Sequence, residues 1–142
     1  MGLQRAVRRV LLARLKNSPD LNAFVPSASI DPSGVPAWPF IVLRSPTTQR
    51  LRATGVRGGR VTWDVHAFAG PRLDGDEQEI ETAQDHASAI GELIEATLAD
   101  THITLENGGD ARIILSDIRL LEDGDTDRYH WFAQINARVL AE

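Results

Sequence analysis

Apolar residues near the start of the chain return every three or four positions. Leu3, Val7, Val10, Leu11 and Leu15 fall on one face of an α-helix, and Arg5, Arg8, Arg9 and Lys16 fall mostly on the other. Asn17-Ser18-Pro19 ends that helix, because proline disfavours helical backbone in the residue before it. A short turn is expected around residues 20–24. Residues 26–39 hold four prolines (Pro26, Pro32, Pro36 and Pro39) and read as ordered irregular chain. Residues 40–44, FIVLR, are a short apolar run bounded by turn residues, the pattern of a buried strand. In residues 60–69, RVTWDVHAFA, the positions Val61, Trp63, Val65 and Ala67 alternate with Thr62, Asp64, His66 and Phe68. A period of two predicts a strand with one buried face.

GPRLDGDE then reads as a turn and a helix entry, with Asp74 or Asp76 as the N-cap. Residues 77–98 carry the strongest helical signal. Ile80, Ala83, Ala87, Ile90, Ile94 and Leu98 step by threes and fours, and the opposite face is rich in Gln and Glu. Ile103 and Leu105 suggest a brief strand. ENGGD is a tight-turn signal, because Asn-Gly adopts positive φ cheaply. Residues 111–121 and 129–140 read as two strands joined by the acidic turn EDGDTD, an antiparallel hairpin. The order is helix, strand, long loop, strand, helix, strand, strand. It predicts an α+β fold: a mainly antiparallel sheet of about four strands packed against two helices, the acidic helix covering one face.

Length and composition fit this reading. At 142 residues, 42% apolar and 25% charged, the chain has the size and balance of one globular domain, expected to span 1–142. There is no cysteine, which excludes disulfides and thiolate metal sites and suits a reducing cytoplasm. The apolar runs are far shorter than the roughly 20 residues a membrane helix needs. The basic N-terminus is expected to be an amphipathic helix and not a signal peptide.

Charge changes the picture more. The net value of −5 hides a division. Residues 1–60 hold ten Lys/Arg against Asp20 and Asp31, a balance of +8, whereas residues 61–142 hold five Arg against eighteen acids, a balance of −13. Either folding interleaves the two halves, or the molecule has one basic and one acidic surface, by which copies could pair head to tail. Within the basic half, residues 45–60 (SPTTQRLRATGVRGGR) form a stretch longer than most connections, with Arg50, Arg52, Arg57 and Arg60 and no acid. They are expected to project as a basic arm. The arm lacks the aromatic residues that single-stranded nucleic acid would favour, so a protein partner is the preferred reading, with contact to backbone phosphate behind it.

Candidate chemistry is sparse. His66, His86, His102 and His130 have no metal-ligand spacing, and no HExxH pattern occurs. Asp64 and His66 share a strand face and could orient an imidazole, but no serine in a nucleophile context accompanies them. GVRGGR lacks the Gly-Lys-Ser/Thr ending of a phosphate-binding loop, so its glycines are expected to give flexibility or a tight hairpin tip. DGDTD at 123–127 resembles part of a calcium loop without its closing glutamate. No catalytic residue, metal or cofactor is expected. Trp38, Trp63 and Trp131 read as core or interface anchors, Trp63 on the apolar face of its strand and Trp38 partly exposed in the proline-rich segment.

The order of elements resembles a known family. NSPDLNAFV closes the first helix, WPFIVLR opens the first strand, and VTWDVHAF leads through a turn into ETAQDHASAIGELIEATL. ITLENGGDARIILSDIRLLEDGDTDRYHWFAQINARV then gives strand, Gly-rich turn, strand, acidic turn and an Arg-x-His entry to the last strand. Together they are similar to the tail-completion family, the tail terminator or head–tail joining proteins of long-tailed phages, and to the matching component of gene transfer agents. The resemblance implies a hexameric ring that caps the completed tail tube, stops its polymerisation and meets the head connector, with no covalent chemistry. It implies as partners further copies of the chain, the tube protein, the connector or stopper and DNA in the lumen, with no membrane. The chain would sit in the host cytoplasm during assembly and then in the particle. Trp38, Arg44, Arg50, Arg52, Arg57 and Arg60 are the expected interface residues. Three rivals differ: a small α+β enzyme seeded by Asp64 and His66, a head–tail stopper or tube subunit, which the 77–98 helix argues against, and a nucleic-acid binder using the arm.

Overall fold

A computed structural model describes residues 2–51, 57–106, 108–122 and 127–141. The first helix, α1, is Leu3–Lys16, and its buried residues Val7, Leu11 and Leu15 are the expected face. Ser18 accepts a hydrogen bond from the Leu21 amide at 3.3 Å and so caps a one-turn helix, α2 (Pro19–Asn22). Irregular chain with one 3₁₀ turn (Ser27–Ser29) leads to the first strand, β1 (Phe40–Arg50). The second strand, β2, is Arg57–Ala69. After it come a small hairpin, β3 (Arg72–Leu73) with β4 (Glu79–Glu81), and the second long helix, α3 (Ala83–Leu98). The last three strands are β5 (Thr101–Thr104), β6 (Asp110–Glu122) and β7 (Tyr129–Ala141).

Five strands form one antiparallel sheet in the order β1-β2-β7-β6-β5. The α+β class and the antiparallel sheet are as the sequence predicts. The fifth strand is the brief one signalled by Ile103, placed at the edge beside β6. The alternation in the two central strands decides the core. Val61, Trp63, Val65, Ala67 and Ala69 of β2 and Trp131, Ala133, Ile135, Ala137 and Val139 of β7 are buried on one face. Against them lie Leu11 and Leu15 of α1 and Ile90, Ile94 and Leu98 of α3. Each buried side chain of this size contributes about 1.5–3 kcal/mol relative to exposure. Gly91 lets α3 approach the sheet, because a Cβ there would lie 2.4 Å from the Trp131 indole.

Two spans differ from expectation. Helix α3 starts at Ala83, not at 77, and its N-cap is Thr82, whose hydroxyl accepts from the Asp85 amide at 3.2 Å. Asp74 caps no helix. Its carboxylate accepts from the amides of Asp76 and Gln78 at 2.8 and 2.9 Å and closes the β3–β4 turn. Glu77 has a φ of 60°, outside the helical region, and Ile80 points out, 54% exposed. The second difference is the 45–60 stretch. Its described parts are strand: β1 runs on to Arg50 and β2 begins at Arg57, paired as Thr47↔Thr62, Gln49↔Arg60 and Arg50↔Gly59. Residues 52–56 lie outside the described residues. Gly58 and Gly59 therefore sit within a ladder, where strand backbones crowd them. A Cβ on Gly58 would meet the Val139 carbonyl oxygen at 2.1 Å, and one on Gly59 the Gln49 carbonyl oxygen at 2.4 Å.

Candidate functional site

The helices cover one face of the sheet, so the residues of opposite parity line a second face that carries no helix. Pairing fixes its rows. Near one end, Phe40 of β1 stands opposite Phe68 of β2, and Phe68 opposite His130 of β7. In the next row Val42, His66 and Phe132 are neighbours. The rings form a continuous cluster. Phe40 and Phe68 stack at 4.8 Å between centroids, and Trp38 meets both edge-on at 5.1 and 5.8 Å. His66 lies 5.1 Å from Phe132 and 5.4 Å from His130. The Arg128 guanidinium sits 4.9 Å over the Trp38 ring, in cation–π range. Phe40 and Val42 are buried although no helix covers them, and Trp38 remains 38% exposed.

His66 takes its character from this cluster. Burial holds its imidazole below the ordinary value, and the charges of His130 and Arg44 push the same way against Asp64. Its Nδ1 is buried with no hydrogen-bond partner among the described residues. Asp64 and His66 do share the face, as expected, but no hydrogen bond joins them among the described residues.

Toward the other end the face turns basic. Arg60 of β2, Arg138 of β7 and Arg112 of β6 stand directly opposite one another across three strands, flanked by Gln49 and His102. Arg60 donates to the Asn136 Oδ1 at 2.8 Å. Arg112 and Arg138 are exposed and make no ion pair among the described residues. Like charges opposed across strands destabilise a sheet, by up to about 1 kcal/mol a pair. Beside this row, Leu51, Gly59 and Leu140 border a concavity of ≈ 440 Å³ that Arg50, Arg60 and Arg138 also line.

Of the residues expected at an interface, the fold brings four to this face or its rim and places them unequally. Trp38 belongs to the aromatic cluster. Arg44 lies beside it but is tied to Asp31, at 3.3 Å. Arg50 and Arg60 border the concavity. The Arg57 backbone pairs with Ala141 in the ladder. Arg52 lies outside the described residues, as does most of the DGDTD turn. Trp63 and Trp131 are core. The charge division does not follow the two halves: Arg112, Arg119, Arg128 and Arg138, four of the five arginines beyond residue 60, lie on or at the rim of the helix-free face, while α1 carries Arg5, Arg8, Arg9, Arg14 and Lys16 on the other side. The aromatic cluster is the feature that sequence reasoning missed. Its signal was the parity of Phe68, Phe132, His66 and His130, large rings at positions that alternation assigns to solvent. Among the described residues, no helix is long and apolar enough to cross a membrane.

Two comparisons with known proteins bear on the chain. A family model described as "Tail completion protein gp17" matches residues 9–140. The fold is similar to that of a chain in the solved structure "Virion of native gene transfer agent (GTA) particle", with a TM-score of 0.72 and 17% sequence identity, covering 99% of this chain and 96% of that one. No curated protein matches the sequence.

Proposed function

The chain belongs to the tail completion protein gp17 family, and from that premise we propose that it is a structural part of a phage-like particle, a ring of identical copies that caps the finished tail tube. The ring, six copies in the family the sequence resembles, ends tube polymerisation and presents a surface to the head connector, while DNA passes through its lumen without sequence-specific contact. The observation that carries this reading is the family match along residues 9–140, which takes in α3 and all of the sheet but Ala141. The helix-free face supports it, because a cluster of rings and a row of opposed arginines suit docking better than bond-breaking, which needs an aligned acid, base or nucleophile. Trp38, Arg44, Arg50 and Arg60, with Arg52 and Arg57, are the residues proposed to meet partners. The chain would act in the cytoplasm of the host cell until its ring is built into the neck of the particle.

Deleting the gene and imaging the particles tests this. The expected result is tubes of uncontrolled length that fail to join capsids. Tails of normal length attached to capsids in the absence of the protein overturn it.

A further inference from the structure

The arginine row and its concavity have a counterpart at the far end of the same molecule. The β3–β4 hairpin exposes Leu73 and Ile80, each 54% accessible, among the exposed carboxylates of Asp74, Asp76, Glu77 and Glu79. The concavity exposes Leu51 at 46% and Leu140 at 60%, beside Arg50, Arg60 and Arg138 with Arg112 next in the row. One surface is apolar with an acidic rim and the other is apolar with a mainly basic rim, where the carboxylate of Asp110, opposite Leu140, lies 3.9 Å from the His102 imidazole. We propose that the β3–β4 hairpin of one copy docks into the Leu51–Gly59–Leu140 concavity of the next, with Asp76 and Glu79 facing Arg138 and Arg112.

Three observations carry this. First, a single chain cannot make the contact. The hairpin follows the last residue of β2 and the arginine row lies near its first, with about 30 Å of strand between them at 3.3 Å per residue. A contact between two different patches of identical chains is heterologous, and it closes into a ring when the rotation permits. Second, each surface keeps an arrangement that costs the isolated chain stability: large apolar side chains in water at the hairpin, and three opposed arginines in the row. Third, the mixture of leucines and arginines discriminates between anionic partners. A nucleic-acid backbone supplies phosphates but nothing to cover Leu51 and Leu140, and a chain of net charge −5 is a poor DNA binder overall. The hairpin supplies both parts.

The contact rests on the ring reading, and the test separates the two. R112E/R138E reverses the row, and D76K/E79K reverses the hairpin while leaving Asp74, which closes the turn, in place. Solution mass is measured for each variant, for wild type and for an equimolar mixture of the variants. Each variant alone is expected to lose self-association by about tenfold or more. The mixture is expected to regain it, because each acidic surface then meets a basic one, and misfolded chains would not recover on mixing. R112Q/R138Q is a second check. Removing like charges from the row is expected to leave thermal stability unchanged or higher while assembly weakens. Wild-type rings that persist in both reversed variants overturn the contact and leave the ring reading standing. Wild-type chain that stays monomeric at high concentration and in the presence of tail tubes removes both. If R112Q/R138Q assembles normally but loses duplex DNA binding at low salt, the row serves nucleic acid and the proposal is overturned.

Discussion

His66 shows how one residue inherits its properties from three strands. It sits on β2, flanked across the sheet by Val42 and Phe132, and burial lowers its proton affinity before His130 and Arg44 lower it further. The sign of the consequence is fixed. In the unfolded chain a histidine titrates near about 6.5, and in the folded chain this one titrates lower. Between those two values the unfolded state holds more protons, so stability falls as the pH drops through that window and is flat for this group on either side. His66→Phe, which suits a cluster of rings, should remove that slope. Urea unfolding at about pH 7.5 and about pH 5 is the measurement: wild type should lose more stability between the two than the variant. Equal losses in both proteins would show that His66 does not carry the effect. The pairing of Asp64 with His66 on one face was legible from spacing. The rings that surround them were not, because Phe40, Phe68, His130 and Phe132 are far apart in sequence and meet only through strand register.

At the scale of elements, the sequence was informative where a pattern was long and its faces were distinct. The parity of β2 and β7 and the stripe of α3 beyond Ala83 are visible in the letters alone. It misled where two periods overlap. Ile80 fits the helical stripe of Ile90 and Ile94 but belongs to β4, and the carboxylate of Asp74 closes a turn where a helix cap was expected. The true boundary makes a prediction. Thr82→Ala should destabilise the protein by about 1 kcal/mol, the usual cost of losing an N-cap. Asp76→Ala, at a position first read as a possible cap, should stay within about 0.5 kcal/mol of wild type. Chemical denaturation midpoints for the two variants check the assignment, and the reverse order would refute it. The 45–60 stretch failed for a different reason. Pro46 and the glycines Gly55, Gly58 and Gly59 are turn signals that outweigh Thr47 and Thr48, and pairing with β7, not composition, makes β2 begin at Arg57.

For the molecule as a whole, the separation of charge along the sequence mattered less than its separation by surface. Basic side chains from the second half join Arg60 on the helix-free face, a further basic set lies on α1, and the β3–β4 hairpin holds a cluster of acids. An assembly held by such surfaces is salt-sensitive. The screening length shrinks from about 10 Å at 0.1 M to about 3 Å at 1 M. Rings of the purified protein should therefore dissociate over that range when followed by sedimentation, and rings that tighten with salt would point to a mainly apolar contact.

The two margins of the sheet share a detail of the ladder. β1 breaks register between Arg44 and Thr47, with Ser45 at a φ of 53°, and β6 breaks register between Ser116 and Arg119, with Asp117 at a φ of 52°. The outer half of β6 runs beyond the short reach of β5, and β1 is covered near Ile41 by Ile30 and Asp31 but runs on past its break. A kink in each border prevents a second molecule from zipping on by backbone pairing, a standard guard against runaway fibres. For a chain proposed to halt the growth of a filament, that guard has a direct meaning: the stopper cannot itself become the seed of another one.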